Sequence, residues 1–206
     1  MKHIAIAGNI GSGKTTLVKK LAQHYDWKAE FEAVEDNPYL EDFYQDMKKW
    51  AFHLQVYFLH NRFNQVRRVQ ESHISTVQDR TIYEDAHIFA ANLYQSHFIS
   101  ARDYDNYLQL YHAMEKYVNP PDLLVYLKAD IAKLVEQIEK RGRNFEKTIR
   151  IDYLQNLNAH YENWIAGYDK GKLLVINVNG LDFVDNREHF SGILEKIDRE
   201  IFGLFK

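Results

Sequence analysis

The run Gly8-Asn9-Ile10-Gly11-Ser12-Gly13-Lys14-Thr15 is a complete G-x-x-x-x-G-K-[ST] match, and its residue types suit one chemistry. Glycines permit the tight turns that aim successive backbone N–H groups inward at a polyphosphate. A helix starting near Lys14 adds its positive end to the same anion site. The Lys14 ammonium can reach the β- and γ-phosphate oxygens, and the Thr15 hydroxyl can ligate Mg2+. The loop, closed by Thr16, is therefore expected to bind a nucleoside triphosphate. Further charged residues fall where a second ligand would lie. Glu32 ends an apolar run near the mouth of the loop, and Asp79-Arg80 ends another. An acidic residue at position 79 can hold Mg2+ directly or through water, while Arg80 can stabilise charge on the transferred group or orient Glu32. Arg141 and Arg143 flank Gly142, a candidate hinge, so a loop of about 141–149 could close two cations over phosphates.

These residues need a scaffold, and the hydrophobic pattern supplies one. Short apolar runs at 3–8, 29–34, 74–79, 123–127 and 173–178 predict strands covered on both faces. Between them lie helical periodicities at 14–25, 40–70, 83–97, 104–118, 131–140, 149–166 and 187–202. Strands alternating with helices imply right-handed crossovers and a parallel sheet. The expectation is a three-layer α/β fold with five parallel strands, in one domain over 1–206.

Composition excludes other classes. With no cysteine there is no disulfide, thiolate metal site or cysteine nucleophile. The ten histidines are scattered without ligand spacing, which argues against a transition-metal site. Twenty-nine acidic against 26 basic residues give a net charge of −3, without the basic surplus usual for a nucleic-acid binder. No apolar run approaches the ~18 residues of a membrane span, and the first residues run straight into the glycine loop without signal-peptide character. A cytoplasmic protein is expected. A base-reading N/T-K-x-D, which a switch GTPase should carry, is absent.

Four segments, in this order and spacing, resemble the deoxynucleoside kinase family, from about residue 3 to 167. The first is the loop at 8–16. The second, Glu32-Ala33-Val34-Glu35-Asp36-Asn37-Pro38-Tyr39-Leu40, is similar to the family's E-P-V-E stretch, and continues through Tyr44 and Lys48-Lys49-Trp50 to Gln55. The third, Asp79-Arg80-Thr81-Ile82-Tyr83-Glu84-Asp85, resembles its [ED]-R-[ST] motif. The fourth, Arg141-Gly142-Arg143-Asn144-Phe145-Glu146, resembles its arginine lid. The sequence departs from the pattern at Ala33, where the family has proline, at Asn37, where many members have tryptophan, and at Gln137, where some carry a further arginine.

The resemblance implies a P-loop kinase fold, ATP as phosphate donor with Mg2+, and a deoxynucleoside acceptor. It makes Glu32 the base that takes the 5′-hydroxyl proton, with Glu35 as the rival carboxylate. It assigns Gln55 to the nucleobase, Tyr44 and Glu146 to the sugar 3′-hydroxyl, and Lys14, Arg80, Arg141 and Arg143 to the phosphates. Tyr44 and Gln55 are eleven residues apart, three turns along one helical stretch. An Arg62/Asp85 pair would lie by the base and go with purine and cytosine rather than thymidine. Phe89 could stack on the base. The nearest likeness is to bacterial purine-type members, so deoxyadenosine is expected first, then deoxyguanosine and deoxycytidine. Relatives pair such aromatic helices across a two-fold axis, so a homodimer is expected. Two other readings remain open. In a nucleoside monophosphate kinase, Arg62 or Arg80 would have to hold the acceptor's phosphate against the repulsion of Glu32. In a non-catalytic ATP-dependent switch, Gln55, Tyr44 and Glu146 would be idle.

Overall fold

The computed structural model describes residues 1–32, 37–143, 146 and 149–203. The apolar runs form five parallel strands, β1 (His3–Gly8), β2 (Lys28–Glu30), β3 (Thr76–Asp79), β4 (Leu123–Lys128) and β5 (Leu173–Asn177), in the order β2-β3-β1-β4-β5. Every residue of β1 is buried, as a central parallel strand with helices on both faces must be. Ile4 and Ile6 pack with Val77, Val125 and Ile176 against helices α1 (Lys14–Tyr25) and α9 (Arg187–Phe202). Ala5 and Ala7 face the other way with Leu124 and Tyr126. That face carries α2 (Leu40–Gln45), α3 (Met47–Ser72) and α8 (Ile151–Ala166). The three layers and five strands are those expected. Among the described residues no helix is long and apolar enough to cross a membrane.

Four local readings are corrected. The second strand ends at Glu30, so Glu32 lies two residues past it rather than at its end; the remainder of that expected strand, 33–34, lies outside the described residues. The single helix expected over 40–70 is two, because the backbone at Asp46 leaves the helical region (φ −142°, ψ 84°) and its carboxylate caps the Lys49 N–H at 3.0 Å. Tyr44 and Gln55 therefore sit on different helices. The helix expected over 83–97 is a single turn α4 (Ile82–Glu84), a π-helical stretch Asp85–Ala90, and α5 (Ala91–Gln95). The next helix, α6 (Ala101–Glu115), starts earlier than expected because Ser100 caps the Asp103 N–H.

From β1 the chain crosses first to β2 and β3 on one side, and later to β4 on the other. The carboxyl ends of β1 and β3 thus flank a topological switch point, where open α/β sheets hold ligands.

Candidate active site

A cavity of about 510 Å³ opens there, a size usual for small-molecule sites. Its floor is the glycine loop. Gly11 (φ 86°) and Gly13 (φ 91°) adopt the left-handed region. A Cβ on Gly11 would stand 2.6 Å from the Leu134 carbonyl, and one on Gly13 2.8 Å from the Phe183 ring. The loop is also tied to α8. Asn9 Nδ2 donates to the Leu154 carbonyl at 3.0 Å and to Asn158 Oδ1 at 2.6 Å. Lys14 Nζ donates to the Asn9 carbonyl at 2.9 Å, and burial together with neighbouring Arg80 lowers its pKa to about 8. Ile10, Lys14 and Thr15 line the cavity, whereas Thr16 is half-buried on α1 outside the lining.

The Thr15 hydroxyl donates to Asp79 Oδ2 at 2.5 Å, while Asp79 Oδ1 is buried with no hydrogen-bond partner. A hydroxyl beside an unsatisfied carboxylate oxygen is a hard-donor pair of the kind Mg2+ takes. No cluster of three His, Asp or Glu side chains suited to a metal occurs among the described residues. Any Mg2+ here would thus complete its shell with water and the oxygens of a bound phosphate.

Glu32 faces the same cavity. Arg62 Nη2 and Arg80 Nε both donate to its Oε1, at 2.9 and 3.0 Å, and its Oε2 makes no hydrogen bond among the described residues. Burial alone would raise the Glu32 pKa, but Arg80, Arg62 and Lys14 override it and hold it down at about 2. The two arginines differ in what they have left to give. Arg62 spends all three nitrogens inside the protein, on Asp85 (3.2 Å), on Gln65 and the Asp79 carbonyl (3.4 and 2.9 Å), and on Glu32. Arg80 spends Nε on Glu32 and Nη1 on Glu84, Tyr161 and the Gly8 carbonyl, but its Nη2 makes no hydrogen bond among the described residues. Its guanidinium lies 4.5 Å over the Phe89 ring, a cation–π contact. Arg80 lines the cavity; Arg62 does not, standing behind Glu32 and joining it to Asp85.

The acceptor side is aromatic and apolar. Phe43, Tyr44, Leu54, Phe58, Phe89 and Tyr153 line it, with Gln55 and Asp85 among them. Gln55 Oε1 is buried without a partner among the described residues, a state that a ligand's N–H donor would relieve. Burial raises the Asp85 pKa to about 6, Arg62 opposing and Glu32 adding to the rise. At the far rim, α7 (Ile131–Arg141) ends on Gly142 in the left-handed region (φ 69°). Arg141 makes a two-pronged bond to Glu146, Nε to Oε2 at 3.0 Å and Nη2 to Oε1 at 2.6 Å, and Arg143 Nη1 reaches Oε1 at 3.5 Å. All three line the cavity.

The sequence-predicted residues thus converge on one cavity, except Arg62 and Thr16, which stand just outside its lining, and the backbone members of the loop beneath it. Glu35 lies outside the described residues. Sequence reading missed Tyr153, which no motif marks, and the groups that brace Arg62 and Arg80, namely Gln65, Glu84 and Tyr161. A signal for Glu84 did exist: Thr81-x-x-Glu84 is a capping-box pattern, and the box is formed.

A parallel sheet with a glycine-loop anion cradle, a cavity beside it and a two-arginine rim defines a phosphotransferase of the P-loop kinase fold. A profile of deoxynucleoside kinases matches residues 4–202. The chain is 38% identical to a deoxyadenosine/deoxycytidine kinase of Bacillus subtilis over 94% of this chain and 90% of that one. It is 41% identical to a deoxyadenosine kinase of Dictyostelium discoideum over 89% and 74%. Among solved structures, the deoxyadenosine kinase of M. mycoides with bound dATP superposes with a TM-score of 0.85 at 30% identity, covering 96% of this chain and all of that one. The chain therefore belongs to the deoxynucleoside kinase family and is an enzyme that phosphorylates a deoxynucleoside.

Proposed function

We propose that the protein transfers the γ-phosphoryl group of ATP to the 5′-hydroxyl of a 2′-deoxynucleoside, deoxyadenosine before deoxyguanosine and deoxycytidine. The observation that carries the reading is Glu32, with one oxygen clamped by two buried arginines and the other making no hydrogen bond among the described residues. The 5′-oxygen bonds to the γ-phosphorus as the bond to the β-phosphate oxygen breaks, and the hydroxyl proton passes to Glu32. A carboxylate with a pKa near 2 is a weak proton acceptor. In a loose transition state the proton leaves late, so the greater contribution of Glu32 is to orient the hydroxyl. Lys14, Arg80, Arg141 and Arg143 spread the charge on the transferred group. Thr15 and Asp79 would hold Mg2+, which when bound neutralises the β- and γ-phosphate oxygens. Gln55 and Asp85 would read the base edge, Tyr44 and Glu146 would hold the sugar, and Phe89 would stack on the base.

The preference for deoxyadenosine is supported by the B. subtilis, D. discoideum and M. mycoides relatives and by the Arg62–Asp85 pair. A cytoplasmic homodimer is part of the same reading; light scattering at micromolar concentration checks the dimer. A coupled ADP-release assay over deoxynucleosides, ribonucleosides and monophosphates tests the rest. We expect turnover with deoxyadenosine and little with any monophosphate; turnover confined to monophosphates would overturn it.

A further inference from the structure

We propose that Glu84, acting with Tyr161, is a positioning residue for phosphoryl transfer, holding the Arg80 guanidinium in place between Glu32 and the transferred phosphate. The proposal rests on the reading of Glu32 and Arg80 given above.

Glu84 is fully buried, at 0% exposure, and a buried carboxylate persists only if it is paired. Its two oxygens have different tasks. Oε2 accepts from the Thr81 N–H at 2.7 Å and the Thr81 hydroxyl at 3.1 Å, which starts α4 and needs no other explanation. Oε1 contributes nothing to that cap. It accepts from Arg80 Nη1 at 3.2 Å, from the Tyr161 hydroxyl at 2.8 Å and from the Gly8 N–H at 3.4 Å. Those donors come from three places: the residue after β3, the middle of α8, and the first residue of the phosphate loop. Tyr161 also accepts from Arg80 Nη1 at 2.7 Å, which closes a triangle.

Arg80 needs such bracing. Its backbone sits at φ 71°, unfavourable for a residue with a Cβ and stable only where the surroundings over-determine it. Glu84 and Tyr161 occupy Nη1 and Glu32 occupies Nε, so Nη2 is the nitrogen left for a phosphate oxygen. Rotation of the guanidinium would misplace Nη2 and loosen Glu32 together. The same helix that supplies Tyr161 supplies Asn158, three residues earlier, which grips Asn9 of the loop. One face of α8 therefore sets the cation and the anion cradle in a common frame.

The test is a double-mutant cycle with kcat and both KM values read separately, alongside thermal melting. Tyr161→Phe keeps the ring stacked on Tyr126 (centroids 5.6 Å apart) and removes only the hydroxyl. We expect its kcat to fall about 3- to 10-fold, with both KM values within about twofold of wild type. Glu84→Gln should lose about 100-fold in kcat. In an Arg80→Lys background, Tyr161→Phe should cost nothing further. Wild-type kcat in Tyr161→Phe, or a loss undiminished in the Arg80→Lys background, would overturn the proposal. Should Glu84→Gln not fold, the Tyr161→Phe cycle alone decides. Glu32→Gln run in parallel separates the two readings: normal turnover there removes the base, while the cycle still reports on Arg80.

Discussion

Of the carboxylates lining the cavity, Glu32 and Glu146 are each gripped by two arginines, yet the two grips are built differently. Arg62 and Arg80, on Glu32, are 2% and 4% exposed and are themselves held by Asp85, Gln65, Glu84 and Tyr161. Arg141 and Arg143, on Glu146, are 34% and 32% exposed, and Nε and Nη2 of Arg141 both end on Glu146 itself. The first grip is fixed before substrate arrives. The second is open to exchange: on the proposed reading, phosphates would draw Arg141 and Arg143 away and leave Glu146 to a sugar hydroxyl. Glu32 is thus held by a buried network, whereas the Arg141–Arg143–Glu146 cluster is partly exposed and pairs its charges with each other.

The largest expected effect falls on the fixed side. Glu32→Gln should leave ATP binding nearly intact and cut kcat about 100-fold or more, read by isothermal titration and the coupled assay. Near-normal turnover would pass the role to Glu35. The comparison then predicts opposite stability outcomes for two arginine deletions. Arg80→Ala strands the buried Glu84 and should destabilise by about 3–5 kcal/mol in denaturant unfolding. Arg141→Ala breaks a pair open to solvent and should change stability by under about 1 kcal/mol while lowering kcat about tenfold or more. Equal losses of stability from both would erase the distinction between the grips.

How far this could be read in advance follows from which forces are local. Strand β1, α1 and α9 were bounded correctly because their periodicity and their flanking turn residues lie in adjacent positions. The break at Asp46 was missed because the periodicity continues across it, and only a side-chain cap decides the matter. Most residues that meet in the cavity were legible as motifs, since each motif is a short local run, such as the glycine loop after β1, Asp79-Arg80 at the end of β3 and Arg141 at the end of α7. What holds those residues was not. Gln65, Tyr161 and Asn158 act across 34, 81 and 149 positions of chain, on the Phe31 carbonyl, Arg80 and Asn9, and no spacing rule connects them. Resemblance placed the Arg62–Asp85 pair by the nucleobase; the pair is formed, and Arg62 also bonds Glu32, a link that no spacing in the sequence signals.

On the proposed reading Arg62, bonded to both Asp85 and Glu32, would link substrate choice to catalysis, and changing it tests both. Replacing Arg62 and Asp85 together with Leu should move the substrate ranking toward thymidine. It should also lower kcat for every substrate, since Glu32 loses one of its two clamps. Competition between deoxyadenosine and thymidine at equal concentration reads the ranking, and an unchanged order would make the pair purely structural.

The smallest effect is one of pH, and it separates Asp85 from Glu32. Glu32 is held near 2 against an ordinary 4.5, so its contribution to stability is present above about pH 4.5 and is lost as pH falls toward 2. Asp85 runs the other way. Burial, against the opposing pull of Arg62, lifts it from 3.8 to about 6, so the folded protein binds its proton more tightly than the unfolded chain does. Its contribution is fully present below about pH 3.8 and is lost as pH rises through 6, by an amount of about 1–3 kcal/mol. Asp85→Asn removes that titration. The melting temperature of the variant minus that of wild type should therefore become more positive between about pH 4 and pH 6.5 and level off above it. A difference that stays flat across this window would mean that Arg62 keeps Asp85 ionised throughout. Asp85 would then behave as Glu32 does, clamped before any substrate enters.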